Sequence, residues 1–314
     1  MEIPDGSLDV LAIGETVIDL ISDEEADSLG AASTFNRYQG GSPANLAAYV
    51  AKLGGRSALI SKVGLDPFGE FARDRLMEAG VETGALRLDE AVNTTVIFIT
   101  RTPGTAESLA LRNGDYQLTV DEVDEDVIRR ARVVHASTFA LSRQPARSAV
   151  AKALHLAHDH RRIVSLDPNY NPLIWPDREE ARAVLGELFT LATLTKPSLD
   201  DATRLFGEGR TPEAYINLYH DLGPGVVVLT MGDDGTLLSS AEGQLHVPAR
   251  EVEVADATGA GDAFWAGFLM ALLDGSPLRR CALFAREIVE RKLRTVGPFA
   301  APIDRQVIYA LLEA

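Results

Sequence analysis

Short runs of apolar residues alternate along the chain with segments in which apolar residues recur at helical spacing. The first run, residues 8–14, predicts a buried strand, and Ser42-Pro43 then predicts a helix start, with Ser42 as N-cap and Pro43 at the first helical position. The same patterns predict further strands and helices at 57–63 with 68–79, 133–137 with 145–160, 163–167 with 178–191, and 226–230. This alternation predicts a three-layer α/β/α sandwich around a mostly parallel central sheet.

Two segments, 15–39 and 91–115, interrupt this rhythm. Their polar and apolar residues alternate as in a strand, for example at 94–100, and no helical pattern lies within them. We predict one domain over residues 1–314 in which these segments form a small inserted antiparallel sheet. We expect this sheet to act as a lid over the carboxyl ends of the central strands, where open α/β sheets bind ligands.

The chain has 314 residues, a formal net charge of −16 and 46% hydrophobic residues. This acidic balance argues against nucleic-acid binding, which depends on clustered Lys and Arg that neutralise phosphates. A single cysteine, Cys281, excludes an intrachain disulfide. The N-terminal residues lack the pattern of a signal peptide, and the longest apolar run, 263–273, is shorter than the ~20 residues of a membrane-spanning helix. We therefore expect a cytoplasmic protein that binds neither nucleic acid nor membrane.

The segment Asp256-Ala257-Thr258-Gly259-Ala260-Gly261-Asp262 precedes a strongly apolar helical pattern. Its small residues expose backbone N–H groups at a helix N-terminus, where the partial positive charge favours a phosphate. Asp262 adds one carboxylate beside that anion. An anion site with an adjacent base is what phosphoryl transfer to an alcohol requires. The alternative is a glycine-rich turn that only caps a buried helix.

A second polar segment, Gly40-Gly41-Ser42-Pro43-Ala44-Asn45, lies at the predicted start of the first helix. The two glycines allow a ligand to approach the backbone closely, and Asn45 offers both a donor and an acceptor. Asp19, after the first strand, can accept hydrogen bonds from two hydroxyls at once. These groups suit a polyol. The alternatives are a Gly-Gly turn before a capped helix and a solvated loop carboxylate at Asp19.

Together, Gly40-Gly41-x-x-x-Asn45 and Asp256-x-Thr258-Gly259-Ala260-Gly261-Asp262 resemble the two signatures of the ribokinase-like (PfkB) carbohydrate kinase family, in the family's order and separation. Further landmarks extend the resemblance over nearly the whole chain, at 111–115, 167–175, Lys196-Pro197 and 230–235. The resemblance implies a ribokinase-like fold, ATP as phosphoryl donor, Mg²⁺ as a metal cofactor and a monosaccharide as substrate.

The resemblance also implies a role for each matching residue. Asp262 is the expected general base, and the backbone N–H groups of Gly259, Ala260 and Gly261 are expected to stabilise the transferred phosphoryl group. The residues expected to contact the sugar are Asp19, Gly40, Gly41, Asn45, Arg112 and Asn169. Those expected at the nucleotide are Lys196, Thr230, Gly232 and Gly235. Asp256 and Thr258 match positions that hold a monovalent cation such as K⁺ in some members, and a helix-entry carboxylate and a turn hydroxyl are their alternative roles.

Four positions depart from the family pattern. The usual Asn-x-x-Glu, which organises the Mg²⁺ water shell, reads Ser198-x-x-Asp201 here, so we expect Asp201 to bind Mg²⁺ through water. Asn171 stands where the family often has an Arg that binds acid sugars, which shifts the expected substrate toward a neutral sugar such as fructose. Arg286 lies in the region where the family usually has an Asn near adenine, so the contact to the base stays unassigned.

These observations predict an ATP-dependent monosaccharide kinase that acts on fructose. Other acceptors left open are 2-keto-3-deoxygluconate, ribose and a nucleoside. A different class left open is a catalytically weak sugar-binding protein of the same fold. Exposed edges of the lid sheet further predict a homodimer formed through the lid.

Overall fold

A computed structural model of the chain describes residues 2–102, 107–297 and 301–313. The strands in these residues are β1 (Leu8–Ile13), β2 (Val17–Glu25), β3 (Phe35–Gly40), β4 (Ser57–Gly64), β5 (Leu86–Asp89), β6 (Val96–Arg101), β7 (Ser108–Leu111), β8 (Ala131–Ser137), β9 (Ile163–Asp167), β10 (Leu194–Thr195), β11 (Val226–Thr230), β12 (Thr236–Ser240) and β13 (Gly243–Val247). The helices are α1 (Ser42–Lys52), α2 (Pro67–Ala79), α3 (Glu125–Arg130), α4 (Thr138–Leu141), α5 (Ala146–Asp159), α6 (Arg178–Phe189), α7 (Leu199–Phe206), α8 (Pro212–Leu222), α9 (Ala260–Leu273), α10 (Leu278–Leu293) and α11 (Arg305–Leu311).

Nine of the described strands form the central sheet, in the order β13-β12-β11-β10-β9-β8-β1-β4-β5. The strands from β11 to β5 run parallel, and β12 and β13 are added antiparallel at one edge. In the centre, Ile13 of β1 pairs with Ile60 of β4 and Ala136 of β8. The predicted α/β sandwich with a mostly parallel sheet is confirmed.

Both faces of the sheet are apolar and covered by helices. Leu11 and Ile13 of β1 belong to a buried cluster with residues of α5, α6 and α8, whereas Val10 and Ala12 belong to a second cluster with α1, α9 and α10. This division follows because successive side chains of a strand point to opposite faces. In α9 all residues from Asp262 to Leu273 are buried, so its N-terminus is fixed firmly at the edge of the sheet.

The carboxyl ends of the parallel strands bring polar residues to one edge of the sheet. Those at or just beyond the strand ends are Glu15, Ser137, Asp167, Lys196 and Thr230, on β1, β8, β9, β10 and β11. Because these strands are neighbours in the sheet, the five side chains lie along one crevice.

The remaining strands form the lid sheet, with the order β3-β2-β6-β7. β2 pairs antiparallel with β3, and β6 with β7, but β2 and β6 pair parallel, with Ile18 opposite Val96. The prediction of an antiparallel lid sheet is therefore wrong for its central pair. Both segments leave the same edge of the central sheet, after β1 and after β5, so the first strand of each runs in the same direction.

Local sequence signals set both ends of α2, which lies close to the predicted helix at 68–79. The Asp66 side chain accepts hydrogen bonds from the N–H groups of Phe68 and Gly69 at the start of α2, and Gly80 ends that helix with φ +97°. Within the described ranges, none of the helices combines the length and the apolar character needed to cross a bilayer.

Candidate active site

Residues 256–261, which we call the anion loop, lead directly into α9. Gly259 has φ +72° and precedes the first helical residue, Ala260. This left-handed backbone suits glycine, and the first turn of α9 points its N–H groups out of the helix. The N–H of Ala260 already donates to the carbonyl of Ala257 at 3.1 Å, so an anion bound at this helix end would have to share that amide. The predicted amide donors thus lie at the positive end of a buried helix.

Asp262 lies in the first turn of α9 and is held by two side chains of α1. Its Oδ1 accepts from Ser42 Oγ at 2.6 Å, and its Oδ2 accepts from Asn45 Nδ2 at 3.0 Å. Ser42 and Asn45 both belong to the first turn of α1, so two helix N-termini meet at one carboxylate. Both helix ends favour negative charge at this position.

The environment of Asp262 shifts its proton affinity. The residue is 9% exposed, and burial raises the pKa of its carboxyl above the ordinary 3.8, although Ser42, Asn45 and the charge of Lys196 act in the opposite direction. Each carboxylate oxygen has two lone pairs, so Ser42 and Asn45 leave acceptor capacity for a substrate hydroxyl. The group can therefore act as a proton acceptor while it stays oriented.

The prediction that Ser42 caps α1 is wrong. Gly41, with φ +97°, is the N-cap, and Ser42 is the first helical residue. The Ser42 hydroxyl donates to Asp262 instead of accepting from its own helix. Gly41 is required for a second reason, because a Cβ there would lie 2.5 Å from the Glu15 carbonyl oxygen.

The lid sheet contributes a carboxylate to the same place. Asp19 on β2 is 6% exposed, and burial, followed by the charges of Asp262 and Asp256, raises its pKa to about 7. A Cβ on Gly40 would lie 2.2 Å from Asp19 Oδ2, so only glycine lets this carboxylate rest against the backbone. The structure thus brings the predicted sugar ligands Asp19, Gly40 and Asn45 close to Asp262.

Gln39, which the sequence did not single out, orients Asn45. Its Nε2 donates to Asn45 Oδ1 at 3.1 Å, which leaves Asn45 Nδ2 to face Asp262. The feature of the sequence that could have identified Gln39 is its place, as a polar residue, directly before the Gly40-Gly41 pair.

Glu15 is a second residue that the sequence did not single out. It is 2% exposed, and its Oε1 accepts from the backbone N–H of Ser42 at 3.0 Å. Its Oε2 has no hydrogen-bond partner among the described residues. Burial raises the pKa of Glu15 to about 8, so the carboxyl carries a proton at neutral pH. The feature of the sequence that could have identified Glu15 is its place, as an acidic residue, directly after the first strand of a predicted α/β sheet.

Lys196 and Asp167 form a buried ion pair beside the anion loop. Lys196 Nζ lies 3.0 Å from Asp167 Oδ2, and a Cβ on Gly261 would be 3.4 Å from the same nitrogen. Burial favours the neutral amine, but the negative charges of Asp167, Asp201 and Asp262 outweigh it and hold the pKa of Lys196 above its usual value. A permanent positive charge therefore lies beside the loop.

The turn after β11 lies along the same edge. The N–H of Thr230 donates to the Pro197 carbonyl at 3.0 Å, next to Lys196 in sequence. Gly232 and Gly235 both have positive φ, and a Cβ on Gly235 would lie 2.3 Å from the Val247 carbonyl oxygen. Within the part of the chain that the structure describes, no heavy atom outside the turn lies within 4 Å of the Cβ position at Gly232, so this part of the turn is open to a ligand.

Ser198 and Asp201 form a reciprocal cap at the start of α7. Ser198 Oγ donates to Asp201 Oδ2 at 2.6 Å, the Ser198 N–H donates to the same oxygen at 3.0 Å, and the Asp201 N–H donates to Ser198 Oγ at 3.0 Å. Asp201 Oδ2 is therefore committed to the helix cap. Oδ1 is left as the oxygen that can meet a metal-bound water.

A cavity of about 1300 Å³ lies between the lid sheet and the segments after β8 and β9. Asn169, with φ +36°, and Arg112, two of the residues expected to contact the sugar, both line it. Nε and Nη2 of Arg112 donate to the same oxygen, Asp115 Oδ2, at 2.8 and 2.6 Å, and Nη1 donates to Ser142 Oγ at 2.9 Å. Its charge is thus already paired. Arg143, which is exposed, lines the same cavity.

Asp256, at the start of the anion loop, binds a lysine that the sequence did not single out. Lys292 Nζ lies 3.1 Å from Asp256 Oδ2 and 3.0 Å from the Asp256 carbonyl oxygen. The other carboxylate oxygen accepts from the N–H of Thr258 at 2.9 Å. Burial, opposed by hydrogen bonds to the carboxylate and by the charge of Lys292, leaves the pKa of Asp256 below its usual value. Asp256 is therefore negatively charged in the folded protein.

The chain is similar to known sugar kinases over most of its length. The pfkB family carbohydrate kinase profile matches residues 7–290. An ATP-dependent 6-phosphofructokinase of Thermoanaerobacterium thermosaccharolyticum is 34% identical over 309 residues, covering 98% of this chain and 95% of that protein. The structure of Halothermothrix orenii fructokinase is 37% identical, with a TM-score of 0.80, over 93% of this chain and 100% of that one.

A third similar structure was solved with ligands. It is a fructokinase double mutant from Vibrio cholerae O395 in its fructose-, ADP- and potassium-ion-bound form, 27% identical, with a TM-score of 0.86, covering 98% of this chain and 99% of that one. The family match over residues 7–290 and the relative at 34% identity agree with the site geometry. This chain therefore belongs to the pfkB family and is an ATP-binding carbohydrate kinase.

Proposed function

We propose that this kinase transfers the γ-phosphate of ATP to a hydroxyl of a monosaccharide, with fructose as the acceptor. The observation that carries the proposal is the Asp262 carboxylate, held by Ser42 and Asn45 where the N-termini of α1 and α9 meet. A base at the positive end of a helix, in the crevice at the strand ends, is arranged to deprotonate an alcohol beside a phosphate.

In this reaction Asp262 accepts the proton of the sugar hydroxyl while the hydroxyl oxygen forms a bond to the γ-phosphorus. The bond from that phosphorus to the bridging oxygen breaks, and ADP leaves. The positive end of α9 and the Lys196 ammonium stabilise negative charge on the transferred group. A positioned base of this kind contributes about 10²–10⁴-fold to the rate.

We assign Asp201 as the carboxylate that binds Mg²⁺ through water. Among the described residues, no group of three or more His, Cys, Asp or Glu side chains is placed to hold a metal ion. Mg²⁺ keeps several waters and is usually bound by one or two carboxylates plus substrate phosphates, so the residues present fit this ion. When bound, it neutralises charge on the phosphates.

A monovalent cation at Asp256 and Thr258 does not fit the residues present. The carbonyl and carboxylate oxygens of Asp256 bind the ammonium of Lys292, which carries the same single positive charge. We derive no step of the reaction through potassium.

Two observations support fructose as the acceptor. Two of the similar structures are fructokinases, and one of them was solved with fructose bound. Asn171, which lines the cavity, is a neutral side chain at the position where an Arg would suit an acid sugar.

Fructose 6-phosphate is a second candidate acceptor. The relative that is 34% identical over 98% of this chain is named as a 6-phosphofructokinase. Arg143 lines the cavity and is exposed, and a guanidinium can bind a phosphate through two parallel hydrogen bonds. A sugar phosphate would also fill more of a cavity of about 1300 Å³ than a free sugar.

An acceptor screen tests the proposal. ADP formation is measured with fructose, fructose 6-phosphate, 2-keto-3-deoxygluconate, ribose and a nucleoside, and the phosphorylated carbon is identified by ³¹P NMR. We expect turnover with fructose that Arg143→Ala leaves unchanged. Turnover with fructose 6-phosphate that Arg143→Ala weakens, but Arg75→Ala on α2 does not, would favour the second candidate. Sugar binding without ADP formation from any acceptor would contradict the proposed function.

We further propose that the lid sheet closes over the sugar and pairs in a homodimer. Closure excludes water, which otherwise competes as the phosphoryl acceptor. The outer strand β7 exposes Leu109 and Leu111, and exposed edges with apolar side chains favour association. Light scattering should give the mass of two chains, and the mass of one chain would contradict the dimer.

A further inference from the structure

Lys292, near the end of α10, is a lysine with no exposed surface. Fully buried lysines are rare, because taking an ammonium out of water is costly unless its charge and its donors are satisfied. The ammonium of Lys292 lies in the crossing between α10 and the segment that leads into the anion loop.

Among the described residues, three oxygens surround this ammonium. They are the Asp256 carbonyl at 3.0 Å, Asp256 Oδ2 at 3.1 Å and the Thr295 carbonyl at 3.2 Å. An ammonium has three N–H donors, so the three oxygens saturate it. Two of the three are backbone carbonyls, and they come from two different segments, one before α9 and one after α10.

Neighbouring hydrogen bonds tie the same two segments together. The N–H of Gly297 donates to Asp256 Oδ2 at 3.0 Å, and the N–H of Ala255 donates to the Leu293 carbonyl at 2.8 Å. The position of Asp256 therefore depends on the cluster around Lys292. Because the anion loop begins at Asp256, the cluster also sets where that loop lies.

A plain buried salt bridge would explain the carboxylate contact but not the two carbonyls. Backbone carbonyls and a carboxylate, converging from two segments on one positive charge, form the kind of oxygen cage that holds a small monovalent cation. The Lys292 ammonium occupies the centre of that cage. Among the described residues, each oxygen of Asp256 then has a donor, because Oδ1 of Asp256 accepts from the N–H of Thr258.

We propose that Lys292 supplies, from within the chain, the single positive charge that a bound monovalent cation supplies in related kinases. The position of the anion loop is then fixed without a bound cation. Turnover therefore requires no added potassium. The turnover measurement below rests on the proposed function, whereas the thermal and crystallographic measurements do not.

The first test uses the wild-type protein in KCl, RbCl, NaCl, LiCl and tetramethylammonium chloride at equal ionic strength. We expect the same kcat, the same KM for ATP and the same melting temperature in every salt. Crystals soaked in RbCl should show no anomalous peak in contact with Asp256. Selective activation or stabilisation by K⁺ and Rb⁺, or a rubidium peak at Asp256, would overturn the proposal.

The second test removes the ammonium with Lys292→Ser. In LiCl we expect kcat to fall about 10- to 100-fold, the range observed when residues that orient a site are removed. KCl and RbCl should restore much of the activity and raise the melting temperature, because a cation that binds only the folded state stabilises it. Rubidium should appear beside Asp256 in the variant.

Lys62→Ser is the matched control. Lys62 is also a buried lysine, 3.1 Å from Asp89 and 2.7 Å from Glu122, and it has no contact with Asp256. This variant should lose stability equally in all salts. A Lys292→Ser protein that folds and is impaired equally in KCl and LiCl would overturn the proposal. If that variant folds in no salt, the rubidium and melting data on the wild type decide alone.

Discussion

The hydroxyl of Ser42 donates a 2.6 Å hydrogen bond to Oδ1 of Asp262, although 220 residues separate the two along the chain. This bond joins the start of α1, which also contributes Asn45, to the start of α9. The start of α1, where we propose that the sugar binds, and the start of α9, where we propose that the phosphate binds, are therefore joined through the Asp262 carboxylate. The pKa of that carboxylate depends on both helices.

Ser42→Ala should move the acid limb of the kcat/KM profile to higher pH. Asp262 works as a base only when ionised, so activity falls as the pH drops through its pKa. Burial already raises that pKa, and the Ser42 hydrogen bond opposes the rise. A hydrogen bond to a charged group is worth about 1.5–3 kcal/mol, so its loss should shift the limb upward by roughly one to two pH units.

Ser57→Ala is the control for that measurement. Ser57 is also buried and donates to the Ala47 carbonyl of α1 at 2.7 Å, but it does not contact Asp262. We expect it to change stability and leave the acid limb in place. An acid limb that moves equally in both variants would show that the Ser42 contact does not control the base.

Gly40→Ala should raise the KM for the sugar. The new Cβ would lie 2.2 Å from Asp19 Oδ2, so the carboxylate must leave its position or the strand must shift. Overpacking of this kind costs about 1–3 kcal/mol in the free energy of unfolding. Gly84→Ala is the control, because no heavy atom of the described residues beyond its chain neighbours lies within 4 Å of its Cβ position. A KM that changes equally in the two variants would contradict the role of Asp19 in sugar binding.

Glu15→Gln should change how stability depends on pH. Burial raises the folded-state pKa of Glu15 to about 8, above the 4.5 of a glutamate in the unfolded chain, so the folded protein binds more protons than the unfolded chain between these values. Glu15 therefore makes stability fall as the pH rises from about 4.5 to about 8. The neutral variant should flatten that fall. Urea unfolding at pH 5, 6, 7 and 8 measures it, and identical slopes in the two proteins would show that Glu15 is ionised when folded.

Asp201→Asn should raise the Mg²⁺ concentration needed for half-maximal activity, by about tenfold. The amide keeps the size of the side chain and can still take part in the cap at Ser198, but it lacks the negative charge that orders metal-bound water. Asp177→Asn, at the N-cap of α6, is the control for a lost capping charge. An unchanged Mg²⁺ requirement in Asp201→Asn would remove Asp201 from the metal site.

The fold was predictable because its signal is periodic and local. The runs that became β1, β9 and β11 are short and apolar, and the helices between strands keep their apolar spacing, so pattern alone indicates a parallel sheet. Gly80 and Asp66 likewise mark the ends of α2 through local backbone chemistry.

Long-range contacts were not predictable in the same way. Ser42 looked like a helix cap because its local sequence suits one, and only the fold shows that its hydroxyl goes to Asp262. Lys292 gives no sign of burial in its own segment, since Arg291 and Arg294 flank it. Its role depends on Asp256, which lies 36 residues away in the chain.

The Asp262→Asn variant tests the central claim most directly. The amide is nearly isosteric but accepts a proton far more weakly, and Ser42 can still donate to its oxygen. Steady-state ADP formation, with sugar binding followed separately by calorimetry, should show kcat lower by about 10²–10⁴-fold and sugar affinity nearly unchanged. A kcat close to that of the wild type would contradict Asp262 as the base that activates the sugar hydroxyl.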